Sequence, residues 1–424
     1  MSLSQYNFLV IELAQRIQEC RVCENVDFEL VIDFGQMCLT GVFQSNGASV
    51  PKAPLVLQRC TKCSLVQLGH NYPQEYLYGD SYGYESHLNS SMTEHLQQKA
   101  RMLEEKFLKL IDNPVVVDIA SNDGTFLSGY KSDRIIKIGI DPLIMLVTDC
   151  YPSNAIRVPE FFSTSAFKNT GVNQANLVTS LSVIYDLEKP VEFAKQIYQI
   201  LADGGVWHFE QSYLPLMLQT NSYDTICHEH LLYLSLTDIE RILTLSGFQL
   251  IDASINSVNG GSIAVTAMKT KKNVEKSPFV CYLLRQELET GIINGSRINL
   301  FSDEFMQHSN ALKSLLNEYK GKGFDLIGLG ASTKGNVLLQ AAGIDSTLIR
   351  AIGEVNPRKF GKQTPGSSIP IVPENTLLTE ISEKTIAIVL PWHFRENLLR
   401  RHEKYLSQGG KLLFPLPRIE MVSA

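Results

Sequence analysis

The sequence predicts an α/β protein in three parts: a small N-terminal metal-binding module, a central doubly wound parallel sheet, and a C-terminal Rossmann-like α/β unit. Three observations predict it. Two Cys-x-x-Cys pairs lie near the start, at Cys20/Cys23 and Cys60/Cys63. From Val115 onward, short apolar runs of strand length alternate with helical patterns, the signature of a sheet wound on both faces. A second strand, glycine loop and helix begins at Phe324. The expected domains are 1–85, 86–280 and 281–424.

Composition narrows the class. A chain of 424 residues is too long for one ordinary core. Hydrophobic content of 44% with 19% charged residues is that of a globular protein. A net charge of −6 offers no basic footprint, so nucleic acid is not an expected partner. No apolar run approaches the length that crosses a bilayer, and Met1 to Val10 lacks the charged-then-apolar order of a signal peptide. No membrane partner is expected, and a cytoplasmic setting is. The eight cysteines should then be reduced or metal-bound.

At the N-terminus, Leu9, Leu13 and Ile17 are spaced by four and predict a short helix over Ser4 to Gln18. The two cysteine pairs follow, each with two residues between its thiols. That spacing lets both thiolates of a turn face one ion, and two such turns complete the tetrahedron Zn²⁺ prefers. Cys20, Cys23, Cys60 and Cys63 are therefore the expected ligands of a structural zinc, with no position open for catalysis. A redox pair or two disulfides is the alternative. Strand-like runs from Phe28 to Gln58 suit a small β module between the pairs. Tyr72, Tyr76, Tyr78, Tyr82 and Tyr84 then crowd a glycine-containing loop, which suits either a site lining or packing between domains. Glu94 to Leu110 reads as a helix that stops at Asp112-Asn113-Pro114.

Val115 to Asp141 reads as strand, small-residue turn, helix, strand. In a parallel sheet the turn after the first strand and the acid ending the second share one crevice. Asp141 is placed to accept ribose hydroxyls, and backbone near Ala120, Asn122 and Gly124 can approach a ligand closely. Two of the three glycine places of a dinucleotide turn hold Ala120 and Asn122, which argues against NAD. The acid Asp118 suits a ligand with a cationic end, so S-adenosylmethionine is the expected cofactor; another nucleotide or a plain sheet turn are the alternatives. Pro142 follows Asp141, and Ser180 sits at the mouth of the strand Asn176 to Ile184, so both are expected beside the cofactor.

The alternation continues with a helix over Val191 to Leu201 and a strand over Val206 to Phe209. Asp224 to Tyr233 then packs His228, Glu229 and His230 in a row; an extended backbone would place the two histidines on one face. A histidine is the natural base for a carbon acid near neutral pH, with a carboxylate to orient it. A polar loop of satisfied histidines is the alternative. Asn259-Gly260-Gly261 marks a hairpin, and Pro278 to Tyr319 a long helical connector. In the second α/β unit, Gly330 and Lys334 suit a diphosphate at a helix N-terminus, although the order departs from a P-loop. Strands are expected at Leu348 to Val355 and Thr385 to Leu390, the latter ending in Pro391-Trp392-His393, so Gly330, Lys334 and Trp392 are the expected substrate contacts.

The paired cysteines, IASNDG, CHEHLLY, GASTKGN, PRKFGKQTPGSSIPI and LPWHF, in this order, resemble the sugar C-methyltransferases that act on nucleotide-linked 4-keto-6-deoxyhexoses, over nearly the whole chain. The resemblance implies a zinc-binding N-terminal domain, a central S-adenosylmethionine domain, and a C-terminal domain that helps hold the nucleotide sugar. By motif position it implies His230 as the base, Glu229 as its polar neighbour, and Tyr82 and Tyr84 as loop residues reaching the sugar. The developing oxyanion needs a donor, for which His228 or a tyrosine could serve. Members often carry tyrosine directly before HEH, whereas here Cys227 stands there. Two other readings stay open: a sugar O-methyltransferase, and a zinc-scaffolded binding protein without catalysis.

Overall fold

The computed structural model describes residues 14–45, 50–73, 77, 85–146, 150–379 and 382–423. Phe28–Cys38 (β1), Lys52–Cys60 (β2) and Val66–Leu68 (β3) form an antiparallel sheet between the cysteine pairs. Its fourth strand, residues 232–233, comes from far along the chain. The helix expected over Ser4 to Gln18 is not what its described part forms: Gln15–Arg16 is a strand paired antiparallel with His70–Asn71, and residues 1–13 lie outside the described residues. Pairing wins here because the His70–Asn71 edge is held by Arg21, whose guanidinium donates to the carbonyls of Leu68 and His70 at 2.6 and 2.9 Å.

The central sheet is built from Val115–Ile119 (β4), Ile136–Ile140 (β5), Ile156–Val158 (β6), Ala175–Leu181 (β7) and Leu201–Ser212 (β8), all parallel. After Leu232–Tyr233 (β9), which joins the N-terminal sheet beside β3, the hairpin Gln249–Asn256 (β10) and Ser262–Met268 (β11) adds an antiparallel edge to β8. The order β10-β11-β8-β7-β4-β5-β6 reverses direction between β4 and β7, which puts a ligand crevice at their carboxyl ends. Every residue of β4 is buried, as a β-branched strand covered on both faces must be.

No regular helix follows β4, contrary to the sequence expectation; the chain makes a 3₁₀ turn at Leu127–Gly129. The covering helix is Ser90–Leu103 (α1), capped by the Asn89 side chain and burying Met92, Leu96, Ala100 and Leu103. A β-carbon on Gly129 would lie 2.7 Å from the Ala100 β-carbon, so α1 already fills that space. Pro190–Ile200 (α2) and Leu236–Leu245 (α3) pack on one another.

Pro278–Glu289 (α4) and Ser296–Gly321 (α5) divide the expected connector. A second sheet follows, with Asp325–Leu329 (β12), the helix Thr333–Ala341 (α6), Ile352–Glu354 (β13), Ile371–Pro373 (β14), Thr385–Val389 (β15), Lys411–Phe414 (β16) and Glu420–Val422 (β17). Its order is β14-β13-β12-β15-β16-β17, with the switch between β12 and β15 and β17 antiparallel. The loops at both ends of that switch, Gly330 to Ser332 and Pro391 to His393, turn toward the central sheet: Lys334 reaches Asn259 and Trp392 reaches Asp224.

Candidate active site

The two cysteine pairs form matched turns. The amide of Glu24 donates to the Cys20 carbonyl and that of Ser64 to the Cys60 carbonyl, each at 3.0 Å, and both residues take a left-handed backbone, φ 59° and 71°. The sulfurs of Cys20 and Cys63, and of Cys23 and Cys60, are 3.6 Å apart, and all four lie within 4.8 Å of one another. A tetrahedron with Zn–S near 2.3 Å has edges of about 3.8 Å, so the donor set fits a zinc held by four thiolates. With no open position, that zinc is structural.

At the carboxyl end of β4, Ala120, Asn122 and Gly124 all have positive φ, at 55°, 47° and 80°. Glycine is required at 124, where a β-carbon would sit 2.6 Å from the Tyr151 ring. Asp141, ending β5, accepts from the Asn122 amide at 2.9 Å and the Leu143 amide at 2.7 Å, so the acid and the turn are one unit. Pro142 follows it, half-buried. Beneath them Asp118 accepts from the Thr179 hydroxyl at 2.6 Å; burial, with Asp141 and Asp123 nearby, pushes its carboxyl up to about 7. The turn is clamped from outside: the Ser86 amide donates to the Asn122 side chain at 3.2 Å, and His87 donates to Asp123 through its amide at 2.8 Å. Three carboxylates around a close-approach turn fit a nucleoside that carries a cationic arm, as S-adenosylmethionine does. Ser180 does not face this turn. Its hydroxyl accepts from the Trp207 indole at 3.0 Å, on the sheet face opposite Thr179.

The CHEH segment is a tight turn, closed by the His230 amide donating to the Cys227 carbonyl at 3.1 Å. The segment is not the extended backbone that would put the two histidines on one face, and the turn sends them apart. His228 is 1% exposed and points into the N-terminal sheet, with Nε2 3.3 Å from the Ala53 carbonyl and its ring edge-on to Tyr72 at 4.8 Å. His230 points to the mouth of β7, its ring 4.4 Å from that of Tyr185, and lines a pocket with Ser212, Tyr213 and Thr225. Its Nδ1 is 2.8 Å from the Thr225 carbonyl. A carbonyl only accepts, so by the hydrogen-bond network Nδ1 carries the proton and Nε2 offers a lone pair. Burial lowers His230 to about 4, with the Lys334 charge adding to it, so the ring is a neutral base at pH 7. The Cys227 sulfur, a Glu229 carboxylate oxygen and a His230 ring nitrogen lie within 4.8 Å of one another. Burial pushes Glu229 up to about 7, and Gly41 makes room for it, since a β-carbon there would stand 2.6 Å from Oε1.

The C-terminal unit closes the site. The Trp392 indole donates to Asp224 at 2.8 Å, and Lys334 Nζ donates to the Asn259 carbonyl at 2.7 Å. Helix α6 packs on the turn Tyr223–Thr225 that precedes the histidines. The same helix grips the N-terminal module: Asn336 donates to the Thr40 carbonyl at 2.7 Å, and Gln340 accepts from the Cys38 amide at 2.9 Å. Gly330 has φ 78°, and the space its β-carbon would fill is taken by the Pro391 ring at 2.7 Å. The close approach that requires this glycine is thus to Pro391. Tyr82 and Tyr84 lie outside the described residues.

Sequence reasoning assigned no role to Asp224, Gly41 or Glu287. Asp224 is fully buried, and its Oδ1 has no hydrogen-bond partner. Glu287, on α4, accepts from the amides of Leu236 and Thr237 at 2.6 and 2.9 Å and from the Tyr213 hydroxyl at 2.6 Å, fixing the start of α3 just beyond the CHEH turn. The apparent surplus charge in an amphipathic helix was the signal for Glu287; its partners are too far along the chain to name from sequence.

Three family models match in order: a zinc binding domain over residues 20–78, a methyltransferase domain over 92–253, and the C-methyltransferase C-terminal domain over 257–417. C-methyltransferase NovU of Streptomyces niveus is 27% identical over 418 residues, covering 97% of this chain and 99% of NovU. Solved structures are more remote. An O-methyltransferase family protein from Burkholderia thailandensis is 12% identical with a TM-score of 0.33, over 44% of this chain and 59% of that one. The [4+2]-cyclase SpnF is 11% identical with a TM-score of 0.31, over 41% of this chain and 80% of that one. These three domain matches in sequence, and a C-methyltransferase aligned along nearly its full length, make the chain an S-adenosylmethionine-dependent C-methyltransferase with a zinc-binding N-terminal domain.

Proposed function

We propose that the methyl acceptor is a carbon, C3, of a nucleotide-linked 4-keto-6-deoxyhexose, and that His230 makes it nucleophilic by removing its proton. The observation that carries this reading is the Nδ1 contact of His230 with the Thr225 carbonyl at 2.8 Å, which leaves Nε2 as the lone-pair nitrogen of a ring that lines the pocket. A ketone acidifies the C–H beside it, and a neutral imidazole within reach takes that proton. The Thr225 carbonyl then holds the Nδ1–H of the resulting imidazolium, and Glu229, beside the ring, offsets its charge. S-adenosylmethionine supplies the electrophilic methyl: the new carbon–carbon bond forms as the sulfur–methyl bond breaks and its electron pair stays on sulfur. Asp118, Ala120, Asn122, Gly124, Asp141 and Pro142 are the residues proposed to hold that cofactor.

The division at residues 85 and 280 belongs to the same reading, with the nucleotide sugar lying between the central and C-terminal units. Four thiolate ligands and further reduced cysteines suit a reducing, cytoplasmic setting. The test is carbon NMR of the product formed from S-adenosylmethionine with a labelled methyl and a thymidine diphosphate 4-keto-6-deoxyhexose. Label bonded to a ring carbon is the expected result. Label bonded to oxygen would make the protein an O-methyltransferase, and binding of S-adenosylmethionine with no turnover on any keto sugar would make it a binding protein.

A further inference from the structure

Lys334 joins the C-terminal unit to the central one. It lies in the first turn of α6, yet its amine is turned across the domain boundary, donating to the Asn259 carbonyl at 2.7 Å in the loop between β10 and β11. Helix α6 packs against the turn Tyr223–Thr225, which contributes both Asp224 and the carbonyl that orients His230. Asp224 is fully buried and holds Trp392 through one oxygen. A ketone arrives neutral and acquires negative charge only when its neighbouring proton leaves, and an ammonium beside it then offsets that charge.

We propose that Lys334 is the donor that receives the charge developing on the ketone oxygen while His230 removes the adjacent proton, an inference that rests on the enolate reading above. The C–H bond breaks, its proton goes to His230 Nε2, and its electron pair moves into the carbon–carbon bond as the carbonyl π pair moves onto oxygen, beside the ammonium. An ammonium has three donors, so Lys334 keeps its bond to Asn259 and still has hydrogens for the substrate. The electrostatics agree: the Lys334 charge acts on His230, His393 and Asp224, while burial lowers the amine itself and Asp224 and Cys227 support its charged form. This is the role the sequence offered to His228, which is turned into the N-terminal sheet instead.

The experiment is deuterium exchange at the carbon beside the ketone, with S-adenosylhomocysteine bound, comparing wild type, Lys334→Met and Lys334→Arg. The affinity of each for thymidine diphosphate is measured alongside, and zinc content and S-adenosylhomocysteine binding confirm that each variant is folded. Loss of one preorganised oxyanion donor predicts a fall of about 10²–10³-fold in the exchange rate of Lys334→Met at saturating sugar, partly restored in Lys334→Arg, with diphosphate affinity held within about threefold. Exchange within about threefold of wild type would overturn the proposal, as would a tenfold or greater loss of thymidine diphosphate affinity with undiminished exchange, which would make Lys334 a diphosphate ligand. Absence of exchange in the wild type would instead remove the enolate reading, and this proposal with it.

Discussion

The indole of Trp392 donates to the carboxylate of Asp224 at 2.8 Å, across 168 residues of chain. This bond ties the loop after β15 of the C-terminal unit to the turn whose Thr225 carbonyl holds His230 Nδ1.

Removing that donor should be felt in both stability and turnover. Trp392→Phe leaves Asp224, fully buried, without a partner for either oxygen. The expected loss is about 2–3 kcal/mol in denaturant unfolding, because a buried carboxylate bears the desolvation penalty of a lost charged hydrogen bond. A loss below about 0.5 kcal/mol would show that the bond carries no weight.

Zinc removal should damage methyl transfer more than cofactor binding. The CHEH segment leaves the active site through β9, which pairs with β3, and the Leu68 amide donates to the Leu231 carbonyl at 2.9 Å. The turn at 120–124 draws its contacts from Ser86, His87 and Asp141 instead. Cys60→Ser, or prolonged chelation, is expected to lower turnover by at least about tenfold while S-adenosylmethionine affinity by calorimetry changes little, since structural zinc contributes folding energy to its own module. Equal loss of both would place the zinc sheet under the cofactor site.

Asp141→Asn keeps the size of the side chain but replaces one of its two acceptor oxygens with a donor group. Since both oxygens are occupied by amides, one amide loses its acceptor and the turn loosens. Affinity for S-adenosylmethionine is expected to weaken by roughly 10–100-fold, the equivalent of one charge-assisted hydrogen bond. Unchanged affinity would remove Asp141 from the site.

The pH dependence separates His230 from Glu229. With its folded value lowered by burial to about 4, His230 stays a base from about pH 5 upward, so it places no limb near neutrality in kcat/KM. Glu229 is raised by burial to about 7, and a limb there is expected to disappear in Glu229→Gln. For stability the signs oppose. Buried His228 falls to about 4, below its unfolded value near 6.5, so the unfolded state binds more protons in that window and stability is lost as pH falls from 6.5 toward 4. Glu229, raised, is protonated first in the folded state, so its contribution is lost as pH rises from about 4.3 toward 7. His228→Phe should therefore flatten the acid side of a stability-versus-pH curve, and an unchanged curve would contradict this.

What could be read from sequence was whatever local spacing encodes. Cys20, Cys23, Cys60 and Cys63 announce their cluster because two-residue spacing has a fixed geometry, and the run at Val115 announces a buried strand because both faces are apolar. The parting of His228 and His230 was not legible, because Ala53 and Tyr72, which draw His228 away, are more than 150 residues distant. The missing helix after β4 was hidden for the same reason: Ala100 already occupies its place beside Gly129. Ser180 looked like a mouth residue from its position in the strand, whereas strand alternation turns its hydroxyl to Trp207. Glu287 reads as helix surface until Leu236, Thr237 and Tyr213 arrive from earlier in the chain.

The central claim, that His230 makes a carbon nucleophile beside a ketone, is tested most directly by mass spectrometry of the sugar after incubation with S-adenosylmethionine in heavy water, wild type against His230→Ala. The account requires one methyl gained on carbon and solvent deuterium entering beside the ketone in the wild type, both lost in the variant. Methylation that persists in His230→Ala, or a wild type that neither methylates nor exchanges, would contradict it.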